Sequence, residues 1–212
     1  MMIGFCAVSF AACTTAPVHV PGPVTPGFTK DMLLESSPLY SPTQHEDLAQ
    51  IDLLGLTPGM LKFLDRNIDQ NSSPNARLQR LMYAVIGDGQ FDLVYDELTR
   101  TAEETFRDLR GNCLSFTNMF VAMARQVGLE ASYQEVDIPP SWSSQGQSLL
   151  LSQHINVLVQ LDKNSQRIVD FNMADFDFDY DRRVISDRRG RAHYFSNIGV
   201  EQMLAGETSG AF

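Results

Sequence analysis

The stretch Arg110-Gly-Asn-Cys113-Leu-Ser-Phe-Thr-Asn-Met-Phe-Val-Ala-Met-Ala-Arg-Gln-Val-Gly-Leu129 decides how this chain is read. It predicts a helix that begins at Asn112-Cys113, carries Phe116, Phe120, Ala124 and Val127 on one stripe, and stops at Gly128. That stripe is core whatever the cysteine does. Cys113 sits on the first turn, after Gly111-Asn112, where unpaired backbone N–H groups and the helix dipole favour a thiolate over a thiol. A thiolate so placed is a candidate nucleophile.

Upstream of this segment the pattern stays helical. Thr57-Pro58 and Ser73-Pro74 each pair an N-cap with proline at the first helical position. Leu61, Leu64 and Ile68 follow the first, while Leu78, Leu81, Met82 and Val85 follow the second and lead to Gly87. Thr101-Ala-Glu-Glu104 is a capping box that opens a short helix through Leu109.

Downstream the period changes from helical to alternating. Ala131 to Val136 reads as a strand, and Ile155, Val157, Val159 and Leu161 alternate with His154, Asn156, Leu158 and Gln160 in another. Asp162 to Ser165 is a turn, and Arg167 to Asn172 returns as the next strand. Helices first and an antiparallel sheet second is an α+β pattern. Pro139-Pro140 to Leu151 is too long for a tight hairpin and is expected to be an active-site loop.

His154 opens a strand, and Asp170 lies on the neighbouring one. Cys, His and Asp in that order suit a thiol, its general base and the group that orients the imidazole. Spacing alone leaves open a buried cysteine, a surface histidine and a strand-end aspartate with no shared role.

The segment quoted above, taken with Gln153-His154-Ile-Asn-Val, Ile168-Val-Asp170-Phe and Thr99-Arg-Thr-Ala-Glu-Glu-Thr-Phe106, resembles the transglutaminase-like cysteine enzyme superfamily. The resemblance covers roughly residues 50 to 173. It implies a papain-like α+β fold, with the nucleophile on a helix start packed against an antiparallel sheet, and a triad of Cys113, His154 and Asp170. The implied chemistry is acyl transfer at a protein or peptide amide without a cofactor or metal. His154 deprotonates Cys113, the thiolate attacks the carbonyl, and a thioester forms that water hydrolyses or an amine captures. The Cys113 backbone N–H is the first oxyanion donor, with Asn112 and the indole of Trp142 as candidates for the second. The alternative is an inactive adaptor of the same fold that holds partner proteins.

The remaining features set organisation and compartment. Twenty-six acidic residues against sixteen Lys and Arg give a net charge of -10, which repels a phosphate backbone and makes nucleic acid an unsuitable partner. Ile3 to Ala12 is an apolar run of signal-peptide length, and Phe10-Ala-Ala-Cys13 resembles a bacterial lipobox, with Phe10 where leucine is usual and no Lys or Arg ahead of the run. Cys13 is thus the expected lipidation site, and Thr14 to Thr29, with Pro17, Pro21, Pro23 and Pro26, an extended spacer. The expected organisation is a signal and lipobox at 1–13, a linker at 14–30, the α+β domain at 31–192 and a partial tetratricopeptide-like helix at 193–212. The last rests on Phe195, Ile198, Gly199, Gly206 and Ala211, and it implies a possible partner protein. These features together imply an exported protein tethered to the membrane of the cell envelope. Asp175 to Asp181 alternates acids with aromatics, but Tyr180 and Ser186 stand where a calcium loop needs Gly and Glu. The following arginines are expected to pair with those acids.

Overall fold

The computed structural model describes residues 50–87, 91–145, 148–172 and 179–207, with side chains for all but 139–153. The chain divides into two units, Met1–Pro38 and Leu39–Phe212, and every described residue belongs to the second. Cys13, the linker and the acids Asp175 and Asp177 lie outside the described residues.

Local signals set the first helices. In α1 (Pro58–Asn67) the Thr57 hydroxyl accepts from Met60 N, and in α2 (Pro74–Ile86) Ser73 accepts from Ala76 N, each ahead of a proline whose missing N–H costs the helix nothing. A two-residue strand β1 (Val94–Tyr95) follows. The capping box of α3 (Ala102–Asp108) is complete, with Thr101 and Glu104 each satisfying the other's backbone N–H. Leu109 ends it in the left-handed region at φ 54, and the short strand β2 (Arg110–Gly111) pairs in parallel with β1.

The helix α4 (Cys113–Gln126) is more deeply placed than a single stripe implies. Every residue from Leu114 to Ala124 is buried, because α3 packs on one side of it and the main sheet on the other. At about 1.5–3 kcal/mol for each fully buried large side chain, Phe120, Met119 and Met123 make this helix the centre of the core. Its one buried amide, Asn118, is satisfied: Tyr133 Oη donates to Oδ1 at 2.8 Å and Nδ2 donates to Arg100 O at 3.2 Å.

The sheet has strand order β5-β4-β3-β6, antiparallel throughout, with β3 at Glu130–Gln145, β4 at Ser148–Asp162, β5 at Ser165–Val169 and β6 at Arg182–Ile185. The expected loop from Pro139 to Leu151 is instead a continuation of the β3–β4 hairpin, with Ser141 opposite Ser152 and Gln145 opposite Ser148. Proline cannot donate to a ladder, so Pro139-Pro140 reads as a break. The strand instead shifts register between Val136 and Ser141, the prolines falling within the irregularity, and pairing resumes beyond them.

The last helix, α5 (Asp187–Leu204), begins at Ser186, whose hydroxyl accepts from Arg189 N. It therefore starts before His193, where a separate repeat-like helix was expected. Gly190 lets the helix approach β3 closely: a Cβ there would meet the Tyr133 ring at 3.0 Å. Two of the arginines have a partner on the sheet. Arg183 and Arg189 both pair with Glu135 of β3, and His193 Nε2 joins them at 2.7 Å from Oε1.

Burial alone would raise the Glu135 pKa, but the hydrogen bonds from Arg189, Arg183 and His193 outweigh it and hold the carboxyl down to about 2. A depressed carboxylate stabilises the fold above its unfolded pKa of roughly 4.3, and that contribution is lost as pH falls toward about 2. Two of its partners are more than half exposed, so Glu135→Gln is expected to cost only about 1 to 2 kcal/mol at pH 7. Denaturant unfolding at pH 7 and at pH 2.5 checks this. The gap between variant and parent should shrink at the lower pH.

Candidate active site

Each of the three chemistry-bearing side chains is placed by a short local device. Asn112 is the N-cap of α4: its Oδ1 accepts from Ser115 N at 3.0 Å and its Nδ2 donates to Thr99 Oγ1 at 2.8 Å. Both ends of its amide are thus engaged at the start of the helix. Cys113 follows on the first turn as a free, half-buried thiol.

His154 lies on β4 opposite Val136, at the last paired position before the register shift. On β5, Val169 faces Val157 and Ile168 faces Leu158. The same register carried one residue further sets Asp170 opposite Asn156, on the face that His154 shares. The imidazole Nε2 lies 2.9 and 2.8 Å from the two oxygens of Asp170. Cys113 acts on the same imidazole, favouring its charged form.

Asp170 is held from two further directions. Asn156 Nδ2 donates to Oδ2 at 2.9 Å, and Asn172 N donates to Oδ1 at 2.9 Å. Phe171, the next residue, packs against Phe116 and Phe120 of α4 with centroids 5.6 and 5.8 Å apart. The strand end that carries Asp170 is thereby tied to the helix that carries Cys113. The role of Asn156 was missed from sequence, although its position two residues after His154 places both side chains on one face.

The electrostatics follow from these contacts. Burial works against a charged imidazole, yet the hydrogen bonds from His154 to Asp170 and Cys113 outweigh it and raise the histidine pKa to about 9. Asp170 moves the opposite way: burial would raise it, but the donors His154, Asn156 and the Asn172 backbone hold it below the ordinary carboxylate range. The array at neutral pH therefore contains a protonated imidazole against a carboxylate.

Residues 62–155 match the family model of the transglutaminase-like superfamily. No curated protein and no solved structure matches the chain. The matched segment includes Cys113 and His154 and ends before Asp170, which the sheet register brings to the imidazole. The α+β class and antiparallel sheet expected from sequence are those of the structure. Trp142 lies on β3 among the residues whose side chains are not described. Among the described residues, no group of three or more His, Cys, Asp or Glu side chains could hold a metal ion, and no helix is long and apolar enough to cross a membrane.

Proposed function

We propose that the protein is a thiol-dependent acyl-transfer enzyme acting on protein or peptide amides through Cys113, His154 and Asp170, and that it is exported and anchored by lipid at Cys13. The observation that carries the catalytic part is the single imidazole that bonds Asp170 through Nε2 and whose charged form is favoured by both Asp170 and Cys113. A thiol buried out of reach of His154 would instead have favoured the adaptor without activity.

With the imidazole already charged, the thiolate attacks the amide carbonyl and the C–S bond forms as the carbonyl electrons move to oxygen. The Cys113 backbone N–H, free at the helix start, stabilises that oxyanion. As the tetrahedral intermediate collapses, His154 gives its proton to the departing amine and a thioester remains. The neutral imidazole then takes a proton from water, giving hydrolysis, or from an amine, giving cross-linking. Asp170, fixed by Asn156, keeps the ring in register through both steps.

Electrophile labelling of Cys113 across pH tests the catalytic reading, because a rate profile equal to that of free cysteine would dispose of it. The anchor has its own test. Cys13→Ser is expected to move the protein from the membrane to the soluble fraction of its native host with the domain still folded. Membrane association that survives the substitution removes the anchor.

A further inference from the structure

The loop between β1 and α3 cradles the first turn of α4. Asn112 N donates to Leu98 O at 3.3 Å, Asn112 Nδ2 donates to Thr99 Oγ1 at 2.8 Å, and Arg100 N donates to Ser115 Oγ at 2.8 Å. One end of this loop is pinned by the two-pronged contact of Arg100 with Asp96, at 2.7 and 3.0 Å. The middle is pinned from far away in the chain. Thr99, only 6% exposed, donates its backbone N–H to Glu201 Oε1 at 2.8 Å, across 102 residues of sequence.

The geometry points to Glu201, near the end of α5, as a positioning residue for Cys113 that acts through Thr99 and the Asn112 cap; this rests on the acyl-transfer reading above. Without Glu201 the Thr99 N–H has no partner in a nearly closed site, and the loop must shift to reach one. Thr99 Oγ1 then moves relative to Asn112, and the cap that fixes the start of α4 loosens. The sulfur and the Cys113 N–H both ride on that first turn. A displacement there is felt in the rate at which the thiol reacts more than in how tightly the protein holds a substrate.

The test measures the second-order rate of iodoacetamide alkylation at Cys113, read on the Cys113 peptide by mass, together with the thermal midpoint, on the full chain. Glu201→Ala is expected to slow alkylation by about three- to tenfold. Glu201→Gln keeps an oxygen acceptor and is expected to stay within about twofold of the parent. Thr99→Val removes only the link to Asn112 and should slow the reaction as Glu201→Ala does. The double variant should be no slower than the slower single one, as expected for residues in one relay.

Parental rates in a folded Glu201→Ala, failure of Gln to rescue, or two effects that multiply in the double variant would each overturn the assignment. If Glu201→Ala does not fold, Thr99→Val decides alone, and a parental rate there overturns it. His154→Ala is run alongside. If it leaves the rate unchanged, the acyl-transfer reading fails and the assignment falls with it; if it slows the reaction while Glu201→Ala does not, only the positioning role fails.

Discussion

Replacing His154 with alanine is expected to slow alkylation of Cys113 at pH 7 by about a hundredfold, within the range that general acid–base partners supply. The magnitude follows from what the imidazole does in the structure: it is the group that carries positive charge beside the sulfur, and it keeps its proton up to about pH 9. The parent should therefore react faster than the variant at neutral pH. The variant should show a rate that climbs toward the roughly 8.5 typical of a free thiol. Acyl transfer has a further requirement, since the leaving amine must be protonated, and so it should fall as pH rises through about 9 in the parent. Stability moves with the same proton. A histidine pKa raised on folding contributes stability that is complete below roughly 6.5 and is lost as pH rises through about 9. A parent profile that superimposes on that of His154→Ala would show that the imidazole does not act on the sulfur.

The second large effect is expected at Gly111. A Cβ built there would lie 2.4 Å from Ser115 Cβ and 2.8 Å from Ser115 Oγ, far inside any contact that real side chains make. Ser115 cannot give way, because it is fully buried and its hydroxyl accepts from Arg100 N. Gly111→Ala is therefore expected to destabilise the fold by about 2 to 3 kcal/mol. The strain falls two residues before the nucleophile, so alkylation of Cys113 should slow in the fraction that remains folded. Denaturant unfolding and labelling of the same sample check both parts. An alanine variant of parental stability would mean that the helix start has room that the packing around Ser115 denies. The glycine ahead of the cysteine is thus explained by the approach of one turn of helix to its own entry strand.

What was legible from sequence was mostly local. Thr57-Pro58, Ser73-Pro74, the Thr101–Glu104 box and the change of period after Gly128 each act within a few residues, and each gave its element close to where it lies. The His154–Asp170 contact was also accessible, because alternation and a tight turn fix register across a short hairpin. What local sequence does not carry is pairing decided by distant partners. Nothing near Glu135 announces that Arg183, Arg189 and His193 will converge on it. The continuation of β3 past Pro139-Pro140 depends on a partner strand willing to absorb the irregularity. The early start of α5 had a local signal in Ser186-Asp187, but the arginines around it read as partners for the acids before them. Asn156 was placed on the correct face without a role, since what it holds is the far side of a carboxylate from the next strand.

The order in which the reactive groups come along the chain has a kinetic consequence. His154 and Asp170 are 16 residues apart and belong to one hairpin, so the loop that brings them together closes early and at small entropic cost. Cys113 reaches them only when α4 docks on β4, a non-local event that waits for the core to condense. A nascent or partly unfolded chain thus carries an ordinary thiol and a preformed acid–base couple that do not yet meet. On the acyl-transfer reading, reactivity would switch on with that docking step and the unfolded chain would carry no activated sulfur while it is exposed to other thiols.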